Sequence, residues 1–250
     1  MSPDFVFEDK VSVVVPVHNE AGNIQPQLEE IFSALDGLHF EVIYVDDGST
    51  DETLRRLLEA RRRYDGRLRI LRHESVLGQS TAIYSGVLAA RHPWIVTLDG
   101  DGQNDPSDIR LLLDAARAAG LGRVLVVGQR VNRRDGAVRR ISSRIANGVR
   151  RALLRDGIPD TGCGLKVLAR DLFTELPYFD HMHRFLPALV LSRGGRILSV
   201  PVSHRPRRCG KSKYGLSNRL WAGVVDLLGV AWLMHRQRRP ARATEVDNEL

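Results

Sequence analysis

Asp99 and Asp101 stand on alternate residues in the stretch LDGDGQNDP (98–106), with an amide, Gln103, two further on. Carboxylates this close repel each other unless a cation lies between them. Oxygen ligands in such a pattern suit Mg2+ or Mn2+, ions that keep open positions for substrate phosphates. The D-x-D therefore suggests a holder for a metal-bound diphosphate, with Gln103 as a further oxygen. Alone, it fits a turn equally well, because Asp-Gly pairs favour turns. Other acids tip the balance. Asp46-Asp47 closes an apolar run, FEVIYVD, and Glu20 follows another, VSVVVPV.

These acids need elements to carry them. VSVVVPV, FEVIYVD, LRILRH, WIVTL and VLVVGQR are short runs rich in β-branched and other apolar residues, each stopped by polar or turn-forming residues, and are expected as strands. Between them, helical spacing predicts helices over Ile24–Leu38, about Glu52–Tyr64, about Gln79–Arg91 and from near Ser107. Such alternation gives a mostly parallel sheet with helices on both faces. Ligands of open α/β sheets bind beyond the carboxyl ends of the strands, where His18-Asn19-Glu20, Asp46-Asp47 and Asp99-Gly100-Asp101 all fall. The first strand leads into PVHNEAGN rather than a G-x-G-x-x-G turn, which argues against a dinucleotide-dependent oxidoreductase.

The chain has 250 residues, 43% hydrophobic and 27% charged, with a formal net charge of +7. That is enough chain for a sizeable core, and disorder throughout is excluded. The positive charge favours anionic partners: phosphorylated small molecules, anionic headgroups or nucleic acid. Acids gathered at strand ends would repel nucleic acid, so none is expected as a partner. Cys163 and Cys209 lie far apart, giving neither a disulfide scaffold nor a zinc knuckle. His181 and His183 lack an evident third metal ligand. No signal peptide or uninterrupted spanning segment is visible.

VVVPVHNE, YVDDGSTD, LDGDGQNDP and DTGCGLKV follow one another in this order, and LGQSTAIYSG, HRFLP and PVSHRPRRCGKSKYG accompany them. Together they resemble a family 2 glycosyltransferase of the GT-A fold, in the dolichyl-phosphate mannosyltransferase-like branch. That branch includes bacterial enzymes that place a sugar on undecaprenyl phosphate. The resemblance covers about Val11–Gly215. It implies inverting transfer from a GDP- or UDP-sugar to a polyprenyl phosphate, with Mg2+ or Mn2+ as cofactor. Asp99, Asp101 and Gln103 would hold the metal. Pro16, Glu20, Asp46, Asp47, Gln79 and Lys211 would hold the nucleotide-sugar along with the D-x-D. Asp160 and Arg205 would act at the reaction centre. Arg130, Arg144, Ser212 and Lys213 would face the acceptor phosphate, with Arg139, Arg140 and Tyr214 as further candidates. An ionised phosphate acceptor requires no general base, so Asp160 is expected to orient the acceptor, the sugar or a nearby arginine. Two features depart from the family pattern. Glu74–Gly78 lacks the usual Asn, and clear spanning helices at the C-terminus are missing.

LWAGVVDLLGVAWLM (220–234) is interrupted by Asp226 and followed by HRQRRPAR. It suggests an amphipathic helix at a membrane interface; a buried helix or a subunit contact is the alternative. Residues 1–215 are thus expected as the catalytic domain and 216–250 as a membrane-associating helix and tail. The protein would work peripherally on the cytoplasmic side of the inner membrane, with a membrane-anchoring partner or a second copy as further candidates. A hydroxyl acceptor on the same fold is the alternative function, in which Asp160 would act as a base; a basic nucleic-acid-binding protein is a more distant one.

Overall fold

The computed structural model describes residues 10–64, 66–120, 122–131, 148, 150, 153–154, 157–158, 160–207 and 216–236, the last segment without its side chains before 223. Seven strands form one sheet: β1 (Lys10–Val17), β2 (His39–Asp47), β3 (Leu68–His73), β4 (Trp94–Thr97), β5 (Val124–Arg130), β6 (Lys166–Ala169) and β7 (Arg196–Val202). Their order is β3-β2-β1-β4-β6-β5-β7. β1 to β4 run parallel, and β5 and β7 pair in parallel. β6 runs antiparallel between β4 and β5, so it joins the two halves.

Helices cover both faces, and the period-2 alternation of the strands sorts the core. Val11, Val13, Val15 and Val17 of β1 face α1 (Ala21–Ala34), α2 (Thr53–Arg61) and α4 (Asp108–Ala118). Val14, Ile43, Val45 and Ile95 face the other way. There they meet α3 (Gln79–Ala89), α5 (Arg170–Thr174), α6 (Leu186–Ser192) and α7 (Leu216–Arg236). The four expected helices exist, α1 to α3 ending earlier than their apolar spacing predicted.

Pro16 shows how β1 ends in a site. Val14 O accepts from Leu98 N at 3.1 Å, so two residues on, Pro16 turns its missing N–H toward the same edge. The β1–β4 ladder has already stopped at Val14–Thr97, so no rung is lost.

The helix α7 lies where the apolar C-terminal segment was expected. Val230 is buried against the second core cluster, with Leu227, Ala231, Leu233 and Met234 packed beside it. Its outward side is also apolar, with Val224, Val225, Leu228 and Trp232 exposed. Asp226 is anchored: its carboxylate lies 2.9 Å from His181 Nδ1. Among the described residues, no helix is long and apolar enough to cross a membrane.

Candidate active site

The turns after β1 and β2 are laced together. Asn19, at a left-handed φ of 54°, accepts from Thr50 N and Asp51 N through Oδ1 at 2.8 and 3.2 Å. Its own N–H donates to Ser49 Oγ at 2.9 Å, and Glu20 N donates to Thr53 Oγ1 at 2.8 Å. HNE and DDGSTD thus build one floor. Gly48, at φ +64°, is required there: a Cβ would meet the Ser75 backbone at 2.7 Å.

The two acids of β2 do different work. Asp47 is spent on structure. Its Oδ1 meets His73 Nδ1 at 2.8 Å and accepts from Leu77 N at 2.9 Å, while Oδ2 accepts from Gly78 N at 2.8 Å. These bonds fix the entry to α3, whose first residue, Gln79, donates to Asp99 Oδ1 at 2.8 Å. Asp46 is fully buried; its Oδ1 accepts from Ser49 N at 3.0 Å, whereas Oδ2 makes no hydrogen bond and lies 3.9 Å from Arg72 Nε.

Asp99 and Asp101 follow β4. Asp99 O accepts from Gln27 Nε2 at 2.7 Å, and Gln27 Oε1 accepts from the buried Tyr44 hydroxyl at 3.1 Å. Burial and the charge of Asp101 push the Asp99 carboxyl up to about 6, against the pull of Lys166, Arg130 and the Gln79 amide. Gly164 lies against that carboxylate so closely that a Cβ would sit 2.2 Å from it. Asp101 Oδ1 accepts from Gln103 N at 3.1 Å. The Gln103 side-chain amide donates to Arg205 O at 3.4 Å.

The segment after β7 folds back along this loop. Asn104 and His204 form an antiparallel bridge, and Arg205 N donates to Gln103 O at 2.9 Å. In that register residue 207 falls opposite residue 101. Arg207 Nη2 is accordingly 2.9 Å from Asp101 Oδ2, and 3.8 Å from Glu20 Oε1. Arg205, the arginine named from sequence, instead pairs with Glu30 at 2.8 Å and with Asp105. It clasps the loop to α1 and does not join the acid cluster.

Asp160 meets Arg130, at the end of β5, in a two-pronged pair: Nε to Oδ2 at 2.7 Å and Nη2 to Oδ1 at 2.8 Å. Arg130 and Asp160 side chains are only 15% and 9% exposed, so the pair is held away from water. Sequence reasoning also passed over Lys166, buried on β6, whose ammonium donates to Cys163 O. Burial pulls its pKa down, opposed by Cys163, Asp99 and Asp160. Arg150 is buried and donates to Thr161 Oγ1 and Ile158 O. His183 Nδ1 lies 2.7 Å from Ser80 Oγ, and burial holds its pKa well below the ordinary imidazole range. No group of three or more His, Cys, Asp and Glu side chains able to hold a metal occurs among the described residues. Arg139, Arg140, Arg144, Cys209, Lys211, Ser212, Lys213 and Tyr214 lie outside the described residues.

Residues 12–176 match glycosyl transferase family 2. The chain is 38% identical over 240 residues to a dodecaprenyl-phosphate galacturonate synthase of Rhizobium johnstonii, covering 92% of this chain and 69% of that protein. It is 34% identical over 215 residues to an undecaprenyl-phosphate 4-deoxy-4-formamido-L-arabinose transferase of Edwardsiella ictaluri, covering 85% and 65%. It thus spans only about two thirds of either relative. In fold it is similar to glucosyl-3-phosphoglycerate synthase from Mycobacterium tuberculosis, solved with Mn2+, uridine diphosphate and glucosyl-3-phosphoglycerate. The TM-score is 0.67 at 21% identity, over 90% of this chain and 79% of that one. A GT-A-like sheet with acids gathered at its strand ends, and a family match over most of that sheet, lead to one assignment: the chain belongs to glycosyl transferase family 2 and is a glycosyltransferase.

Proposed function

We propose that the protein transfers a sugar from a nucleoside-diphosphate donor to a polyprenyl phosphate, with inversion. One observation carries the acceptor. The two relatives handle chemically different sugars, a galacturonate and a formamido-arabinose, yet both are named for a polyprenyl phosphate. What they share is therefore the acceptor class, and the sugar is left open.

The donor would lie across the ends of β1, β2 and β4. Glu20 and Asp46 would take the base and ribose, their places at the ends of β1 and β2 supporting this. Pro16 and Gln79 would border the same pocket, and Asp47 would serve it by fixing the entry to α3. Asp99 and Asp101 fit a divalent cation. They are oxygen donors two residues apart, and Asp101 already attracts a guanidinium at 2.9 Å. With only two carboxylates, the remaining ligands would be diphosphate oxygens and Gln103. When bound, Mg2+ or Mn2+ would neutralise the diphosphate and stabilise it as a leaving group.

An oxygen of the acceptor phosphate would attack the anomeric carbon as the bond to the donor diphosphate breaks. A phosphate monoester is already ionised at neutral pH. The Arg130–Asp160 pair supports the same conclusion, since Asp160 aims the guanidinium rather than waiting as a base. Arg130 would then hold the acceptor phosphate, joined by Arg144, Ser212 and Lys213. The apolar outward side of α7 would rest on the bilayer that holds the lipid, on its cytoplasmic side.

The test is Asp101→Asn, assayed for lipid-linked monophosphosugar by mass spectrometry. Product should fall at least about a hundredfold with the melting curve retained. Transfer at the wild-type rate would sink the donor-site assignment. Product formed on a saccharide hydroxyl but never on lipid phosphate would sink the acceptor assignment.

A further inference from the structure

Arg207 bridges two acids that belong to different strands. Its Nη2 is 2.9 Å from Asp101 Oδ2, beyond β4, and 3.8 Å from Glu20 Oε1, beyond β1. The arginine side chain is 26% exposed, against 15% for Asp101 and 10% for Glu20. The pair is therefore shielded from most of the solvent, where a charge-assisted bond is at the strong end of its range. Asp101 Oδ1 accepts from Gln103 N at the same time, so both oxygens of Asp101 are engaged. Glu20 is steadied from its other side by Asn23 Nδ2 at 2.6 Å.

A divalent ion and a guanidinium cannot share one carboxylate oxygen without repelling each other. Nor can the acids stand close together in ionised form without a cation to offset their repulsion. The antiparallel register between residues 103–104 and 204–205 sets Arg207 there through backbone bonds, independent of any ligand.

Taking Asp99 and Asp101 as the ion-binding pair, as proposed above, we infer that Arg207 is the resident counter-cation of the donor pocket. It yields Asp101 to a divalent ion only when a nucleoside diphosphate offers the guanidinium a new anion. The charges balance only with the nucleotide present: Asp101 exchanges a singly charged guanidinium for a doubly charged ion, and the negative charge of the diphosphate meets both the ion's additional charge and the freed guanidinium. Ion and nucleotide then bind with positive coupling, and each raises the affinity for the other by the same factor.

The experiment is a Mn2+ titration followed by the electron paramagnetic resonance of the free aquo ion. It compares the wild-type chain with Arg207→Gln, Arg207→Lys and Asp101→Asn, each without nucleotide and with saturating UDP or GDP. For wild type, nucleotide should tighten Mn2+ binding about tenfold or more. Arg207→Gln should bind Mn2+ alone about tenfold more tightly than wild type, and nucleotide should then add little. Arg207→Lys should fall between, because an ammonium cannot span two carboxylates as a guanidinium does; it carries the comparison if the glutamine variant melts early. Asp101→Asn should lose Mn2+ binding in both states. Unchanged Mn2+ affinity and unchanged coupling in both Arg207 variants would overturn the proposal while leaving the Asp99–Asp101 pair intact. Mn2+ binding that survives in Asp101→Asn, or is missing from every protein even with nucleotide, would overturn the ion site itself and the proposal with it.

Discussion

Glu20, Asp46, Asp47, Asp99 and Asp101 gather at the ends of β1, β2 and β4, all in the parallel half of the sheet. From β5, β6 and the segment after β7 come Arg130, Lys166 and Arg207, cations that meet or face acids of the site. One half supplies negative charge at the mouth, and the other returns positive charge to it across the antiparallel strand β6. Cations from the second half thus offset the acids of the first while no ligand is bound. On the proposed reading the division also separates two tasks, with a donor met by the acids and their counter-cation Arg207, and an acceptor phosphate met by Arg130.

Removing an acid from the first half should have the largest effect. Asp99→Asn is expected to lower kcat about a thousandfold yet to raise stability. An acid whose folded pKa is raised to about 6 costs stability once ionised. The gain in the variant should be absent below about pH 4 and complete above about pH 7, reaching about 3 kcal/mol in thermal melts. A variant both inactive and less stable would mean that Asp99 is a structural residue.

Arg130→Lys tests the other half. Lysine keeps the charge and loses the two-pronged geometry. The acceptor KM should rise about tenfold while the donor KM holds steady. An equal rise in both would break the division between the halves.

Smaller again is a change far from the chemistry. Glu41, buried on β2, accepts from Ser12 Oγ at 2.7 Å, Arg69 Nη1 at 2.8 Å and Arg91 N at 2.7 Å. Burial pushes its carboxyl up, but the bonds from Arg69, Arg91 N–H and Ser12 together hold it below the usual range. A lowered carboxylate pKa stabilises above the unfolded value and loses that contribution as pH falls through the folded value. Glu41→Gln should therefore cost about 1–3 kcal/mol at pH 7, with the gap closing below about pH 4, and kcat should not move. The smallest effect is expected on α7. Val225→Asp with Leu228→Asp should weaken binding to anionic vesicles and leave transfer to a short, soluble polyprenyl phosphate unaltered.

The parallel half was legible in the sequence because its signals are local. Val11–Val17 and Phe40–Asp46 are β-branched runs with turn residues directly behind them, and their acids fall at the strand ends by spacing alone. In the other half β5 is legible in the same way, as VLVVGQR with Arg130 at its end, whereas β6 and the segment after β7 require pairing. β6 is four residues long, begins with a buried lysine, and is a strand because β4 and β5 flank it. Which arginine of HRPRR meets the D-x-D depends on the register at Asn104–His204, so the contact of Arg207 with Asp101 is not legible in the sequence, which offers Arg205 for the reaction centre. Asp47 looks like a ligand beside Asp46, and only the folded chain reveals that its oxygens are taken by the His73–Gly78 loop.

The measurement that bears most directly on the division into donor and acceptor halves is nucleotide release across a panel of GDP- and UDP-sugars. Each is run with and without Mn2+ or Mg2+ and with and without a short polyprenyl phosphate. Release is expected from one donor class and to require the ion and the lipid phosphate together. Release with any donor that is indifferent to the lipid phosphate would contradict that division.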